Sequence, residues 1–157
     1  MGVRSRRLLA AGAVAAPLAL AATALSGSAG PALVVRDEQG NEMTRADLPA
    51  TGAFALAYRH SYYHAPAREL FTARGGELRL RAITSPHAAV LDYYELSGER
   101  RRRGRWLRLV PDERRIYERI PLIATATGRR TLLVGDERIP LYAREARHLT
   151  IDVEDER

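Results

Sequence analysis

The sequence predicts an all-β domain: a single antiparallel β-sandwich or barrel of about 7–9 short strands, preceded by an N-terminal signal or anchor helix. Three observations carry that expectation. From Val34 onward apolar residues recur with a period of two rather than 3.6. Turn chemistry ("GG", "SPH", "PDE", "TGRR", "GDER") punctuates the chain at short intervals. Beyond the leader no segment holds the spacing of a long amphipathic helix, and "MTRADLPATG" allows at most one turn.

Residues 1–29 read as a leader. Arg4, Arg6 and Arg7 precede an apolar run from Leu8 to Leu25, and small residues follow, with Ala22-Thr23-Ala24 or Gly27-Ser28-Ala29 fitting a signal-peptidase site. An uncleaved anchor is the alternative, although Pro17 interrupts a run that is barely long enough to span a bilayer. Either way the domain is expected outside the cytoplasmic membrane, secreted or held in the envelope. "SRRLL" loosely resembles a twin-arginine export motif. The 157 residues contain no cysteine, which excludes disulfides, thiol chemistry and a lipoprotein anchor.

All 25 basic residues are arginine. Arginine codon choice in a GC-rich genome accounts for this, and beyond Ala29 the balance is 22 Arg against 19 Asp and Glu. That mild excess gives no ground for a nucleic-acid partner.

In chain order, residues 30–51 read as a strand and linker and residues 52–154 as the all-β domain. Phe54, Leu56 and Tyr58 share one face of a first strand. Leu78, Leu80 and Ala82 share one face of another, which follows a Gly75-Gly76 turn suited to positive φ. "AVLDYYEL", "RWLRLV", "RRIYERIPLIATAT", "RTLLVG", "RIPLYA" and "HLTIDVE" are further strand candidates. "GERRRRG" reads as a solvated hairpin loop, and Arg100 to Arg105 there could touch an anionic membrane surface.

The stretch "FALAYRHSYYHAPARELF", Phe54 to Phe71, is the candidate site. If its two ends pair as a hairpin, Phe71 shares a face with Tyr58, and His60 falls opposite or near Glu69 at the rim of the core. A carboxylate there would favour a charged imidazole or fix the tautomer of a neutral one. Pro66 ends the turn, since it cannot donate to a ladder. His60, Ser61, Tyr62, Tyr63, Glu69 and Tyr94 are therefore the candidate ligand-binding residues, and Tyr93 completes two tyrosine pairs that could line a ligand's mouth or merely cover the sheet ends.

His60-Ser61, Pro66 and Glu69, set between "FALAY" and "GGELRL", resemble the bacterial domain-of-unknown-function family 1850. "RWLRL", "TGRRTLLV", "RIPL" and "LTIDVE" extend the resemblance over roughly Gly52 to Glu154. Where many members have Ser-x-Gly-Ala-Gly, this chain has Ser85-Pro86-His87-Ala88-Ala89. The resemblance implies an exported all-β domain, often encoded beside transporter subunits of the tripartite ATP-independent TAXI type. It implies no reaction.

Other chemistries fit less well. Neighbours in a strand face opposite ways, so His60 is badly placed to activate Ser61. A Ser85–His60–Glu69 set lacks the strand-turn-helix context of a nucleophile elbow. His60 and His64 would lie about 13 Å apart in an extended strand, so metal binding would need a sharp turn. No catalytic residue, metal or cofactor is assigned. The expectation is an exported binding or accessory domain whose partner is a membrane transporter subunit or a small organic solute. A structural or envelope-interaction protein is the alternative, and an exported hydrolase comes third.

Overall fold

The computed structural model describes residues 30–155; the leader lies outside them. The described chain is built from antiparallel strands, arranged in two open sheets whose apolar faces meet in one core. In chain order the strands are β1 (Ala32–Asp37), β2 (Glu42–Asp47), β3 (Ala53–Arg59), β4 (Pro66–Arg74), β5 (Glu77–Ser85), β6 (Gly98–Arg103), β7 (Trp106–Pro111), β8 (Arg115–Tyr117), β9 (Ile120–Ala124), β10 (Thr131–Val134), β11 (Glu137–Pro140) and β12 (Arg147–Glu154). The smaller sheet has the order β2-β1-β12-β9, and the larger runs β11-β10-β3-β4-β5-β7-β6 with β8 added beside β5.

β1 (Ala32–Asp37) and β2 (Glu42–Asp47) form a hairpin, so residues 30–51 carry two strands. The Asp37 carboxylate tightens the turn by accepting the amide N–H groups of Gln39 and Asn41. Leu33 and Val35 point into the core. Outside, Val34 is covered by a lattice in which Arg36 and Arg45 both pair with Glu154. β12 (Arg147–Glu154) lies between β1 and β9 (Ile120–Ala124), and its Leu149 and Ile151 fill the core.

The larger sheet is organised around β3 (Ala53–Arg59), β4 (Pro66–Arg74) and β5 (Glu77–Ser85). Phe54 faces Phe71 across the first pair, with rings stacked 5.2 Å apart. Gly75 and Gly76 make the β4–β5 turn at φ +57° and +76°, as expected of a two-residue hairpin connection. β10 (Thr131–Val134) and β11 (Glu137–Pro140) extend one side of this unit. β7 (Trp106–Pro111) and β6 (Gly98–Arg103) extend the other, and β8 is Arg115–Tyr117.

Twelve strands exceed the expected number for identifiable reasons. "RRIYERIPLIATAT" is not one strand: it breaks at Glu118-Arg119, leaving β8 in the larger sheet and β9 in the smaller. Arg100–Arg103 belong to edge strand β6 rather than a loop, because a two-residue turn at Gly104, with φ +60°, pairs them with β7. Within "MTRADLPATG", which allowed at most one helical turn, Met43 to Asp47 belong to strand β2. "AVLDYYEL" is not a strand either. Its first part is the one-turn helix α1 (Ala88–Asp92), which buries Val90 and Leu91 together. Tyr94 follows them at helical spacing, three and four positions on, where alternation would have put Leu91 on the face opposite Val90 and Tyr94. Neither sheet closes into a barrel. Among the described residues no helix is long and apolar enough to cross a membrane.

Candidate functional site

β3 ends at Arg59 and β4 starts at Pro66, directly opposite. The six residues between them fold into a compact turn in which His60 donates its N–H to the Ala65 carbonyl and His64 donates back to the His60 carbonyl. His64 takes a left-handed φ of +51° to allow this. The loop Thr125–Arg130 folds over the end of β3, where the Arg59 N–H donates to the Gly128 carbonyl at 2.7 Å. Between this loop, the turn and the tyrosines after α1 opens a cleft of about 530 Å³.

His60 sits in the cleft wall, only 6% exposed. Its Nδ1 accepts the amide N–H groups of both Tyr62 and Tyr63 at 3.3 Å, which places the proton on Nε2. Among the described residues no buried side-chain nitrogen or oxygen lacks a partner, so the His60 Nε2–H, which bonds none of them, is open to the cleft that His60 lines. Burial and then the neighbouring His87 hold the imidazole below its ordinary pKa. A charged ring would turn an Nδ1–H against two amide donors. The geometry therefore selects the neutral donor.

Glu69 faces Leu56 in the ladder, four positions short of His60 on the same side. The two residues line one cleft, but neither hydrogen bond nor ion pair joins them. That corrects the expected pair. The six-residue turn carries His60 out of the strand, and Glu69 is engaged elsewhere. The Tyr94 hydroxyl donates to Glu69 at 2.6 Å and is itself hydrogen-bonded to the Tyr58 hydroxyl. The Arg130 guanidinium lies 3.8 Å from the second Glu69 oxygen and 4.9 Å from the centre of the Tyr58 ring. Burial, the first cause, pushes the Tyr58 hydroxyl up to about 12, and burial with the Glu69 charge pushes Tyr94 higher still. Both phenols are therefore fixed as neutral hydrogen-bonding groups.

The remaining sequence candidates divide. Ser61 lines the cleft mouth. Tyr63 packs behind His60 and stacks on His87, with centroids 5.2 Å apart. Tyr62 is 77% exposed and touches only Tyr63 among the aromatic rings. Tyr93 stands edge-on to His60 at 4.8 Å and lines the cleft. Pro66 has its carbonyl held by Ser85, whose buried hydroxyl donates there at 2.9 Å and accepts the His87 N–H. That side chain clamps the entry to α1, and its proton is committed away from His60. Among the described residues no three His, Asp or Glu side chains converge as metal ligands.

Sequence reading missed Arg130, Tyr58 and Arg59 as site residues. Strand parity alone would put Arg59 on the outer face, but at the strand end its side chain turns to donate to the His64 carbonyl and reaches the cleft. Arg130 carries no local signal, since "TGRR" is ordinary turn composition. Tyr58 had one: a hydroxyl at the end of an otherwise apolar face. A second cleft, of about 400 Å³, shares Glu69, Tyr94 and Arg130 with the first and continues over Phe71, Leu80 and Ile120. The polar trio is the wall between them.

No family model, curated protein or solved structure matches this chain. The family resemblance rests on its motif residues alone, and the binding chemistry has to be argued from the cleft.

Proposed function

We propose that this is an extracytoplasmic binding domain that holds a small organic acid in the cleft beside His60 and Arg130, as an accessory to solute transport. The observation that carries the reading is the balance of groups in the cleft wall. Two guanidinium groups and the His60 Nε2–H stand against one carboxylate, which is already hydrogen-bonded by Tyr94. A solute carboxylate would find donors there, and its organic part would lie against Tyr93 and Ile123. The volume falls in the range of small-molecule sites, about 300–1,000 Å³. No catalytic residue is assigned, and the Ser85 hydroxyl is spent on the Pro66 carbonyl. The transport role and the export route come from the family resemblance and the leader, and the cleft supports the binding half of the reading.

A thermal-shift screen of the chain against organic acids and amino acids tests this. A ligand present at a hundred times its Kd stabilises by about 2.7 kcal/mol, a shift of several degrees. His60→Gln is expected to melt cooperatively and lose that shift. Silence from every acid, or a shift that survives in His60→Gln, would sink the reading.

A further inference from the structure

A separate feature lies on the other face of the larger sheet. In β7, Leu107 and Leu109 pack on the core, so Trp106 and Arg108 point outward. The register then draws a line that no single segment shows. Arg101 of β6 faces Arg108, Arg108 faces Thr84 of β5, Thr84 faces Arg68 of β4, and Arg68 faces Ala57 of β3. Arg103 faces Trp106, and the Arg68 guanidinium sits 5.4 Å from the centre of the indole. Of these four arginines only Arg101 has a carboxylate partner among the described residues, its neighbour Glu99.

The corner therefore carries a net of +3, four arginines less one glutamate. Residues 30–155 contain 21 arginines against 18 acidic residues, also +3, so the rest of the domain sums to zero. An excess as large as that of the whole described chain therefore sits on this one corner. Folding gains nothing from it, because like charges directly opposed across a ladder are destabilising. The smaller sheet shows the contrast, with Arg36 and Arg45 both paired to Glu154.

We propose that this face docks on a membrane surface of anionic phospholipid headgroups. Tryptophan among arginines is the composition of a membrane–water interface, where the indole sits at headgroup level and guanidiniums reach phosphate. Thr84 lies between the arginines and Ala57 follows Arg68, both small side chains, and neither cleft described above is lined by a residue of this corner. A protein partner would need sockets for its anchoring side chains. A headgroup layer needs only charge and a plane.

Trp106 is the only tryptophan in the chain, so its fluorescence reports on this face alone, even if the apolar leader tethers the protein elsewhere. The full chain is mixed with phosphatidylcholine vesicles with or without phosphatidylglycerol. Anionic vesicles should shift Trp106 emission to the blue and neutral ones should not, and salt near 1 M, where the Debye length is about 3 Å, should abolish the shift. Each arginine lost at an anionic surface weakens binding roughly fivefold, so Arg68→Gln/Arg108→Gln should weaken it about 25-fold. Arg144→Gln/Arg147→Gln, at the start of the smaller sheet's β12, removes the same charge and should cost no more than about twofold. Equal losses in the two double variants would mean attraction by net charge alone and would overturn the proposal. So would an unmoved Trp106 on anionic vesicles, or a shift given by polyglutamate and not by lipid.

Discussion

His60 is a neutral donor because two backbone amides claim its Nδ1 and because it is buried beside His87. Its folded pKa lies below the ordinary 6.5, so the unfolded chain takes up the proton first. The stability that depends on a neutral His60 is present above pH 6.5 and is lost as pH falls from 6.5 through the lower folded value. Glutamine at this position does not titrate. Thermal midpoints measured from pH 7.5 down to 5 should therefore fall less steeply for His60→Gln than for the native chain. A His60 imidazole signal titrating at or above 6.5 by NMR would mean that the ring is charged and the tautomer assignment wrong. Glu69 answers to different neighbours, Tyr94 and Arg130, which is why one residue's substitution should not reproduce the other's effect.

At the level of elements, close backbone approaches decide what the strands tolerate. Gly52 introduces β3 at φ +66°, and a Cβ there would stand 2.1 Å from the Ala73 carbonyl oxygen, on a segment whose N–H already donates to Gly52. Neither partner can retreat without breaking the β3–β4 ladder. Gly40, at φ +82° in the β1–β2 turn, has open space around the same position. Gly52→Ala should therefore cost about 3 kcal/mol in urea unfolding, from clash and left-handed strain together, and Gly40→Ala about 1 kcal/mol from conformation alone. Equal losses would show that the Ala73 contact is not there. The same backbone logic explains the arginine run: four charged residues make an acceptable edge strand because their side chains reach water while their peptide groups pair with β7.

At the scale of the whole molecule, the two sheets share one apolar core and should not unfold separately. Ile151, fully buried in β12, belongs to the same cluster as Leu56 and Leu109 of the larger sheet. Ile151→Ala should cost about 2–5 kcal/mol. Trp106, which lies in the larger sheet, should report the loss at the same midpoint as far-UV circular dichroism. Two separated transitions, with Trp106 unaffected by the change in β12, would mean independent sheets. The shared core also places the cleft, since β9 of one sheet supplies Ile123 and β3 and β4 of the other supply Tyr58 and Glu69.

Alternation and turn chemistry were enough to read an antiparallel β domain, the Gly75-Gly76 hairpin, the common face of Phe54, Leu56 and Tyr58, and the rim at His60, because each rests on neighbours along the chain. What alternation could not reveal is where a strand goes after it ends. β8 and β9 read as one segment and lie in different sheets, and "AVLDYYEL" became a helical turn because the core took Val90 and Leu91 from the same side. The site divides in the same way. His60, Ser61 and Glu69 were legible from a local motif and Tyr94 as a tyrosine candidate, but the contact of Tyr94 with Glu69 from 25 positions away, and Arg130 itself, 61 positions away, were not. The arginine line from β6 to β4 likewise exists only through ladder register. Sequence specifies local backbone preference and burial. Pairing across long loops depends on the sum of many weak contacts, and only the folded chain completes that sum.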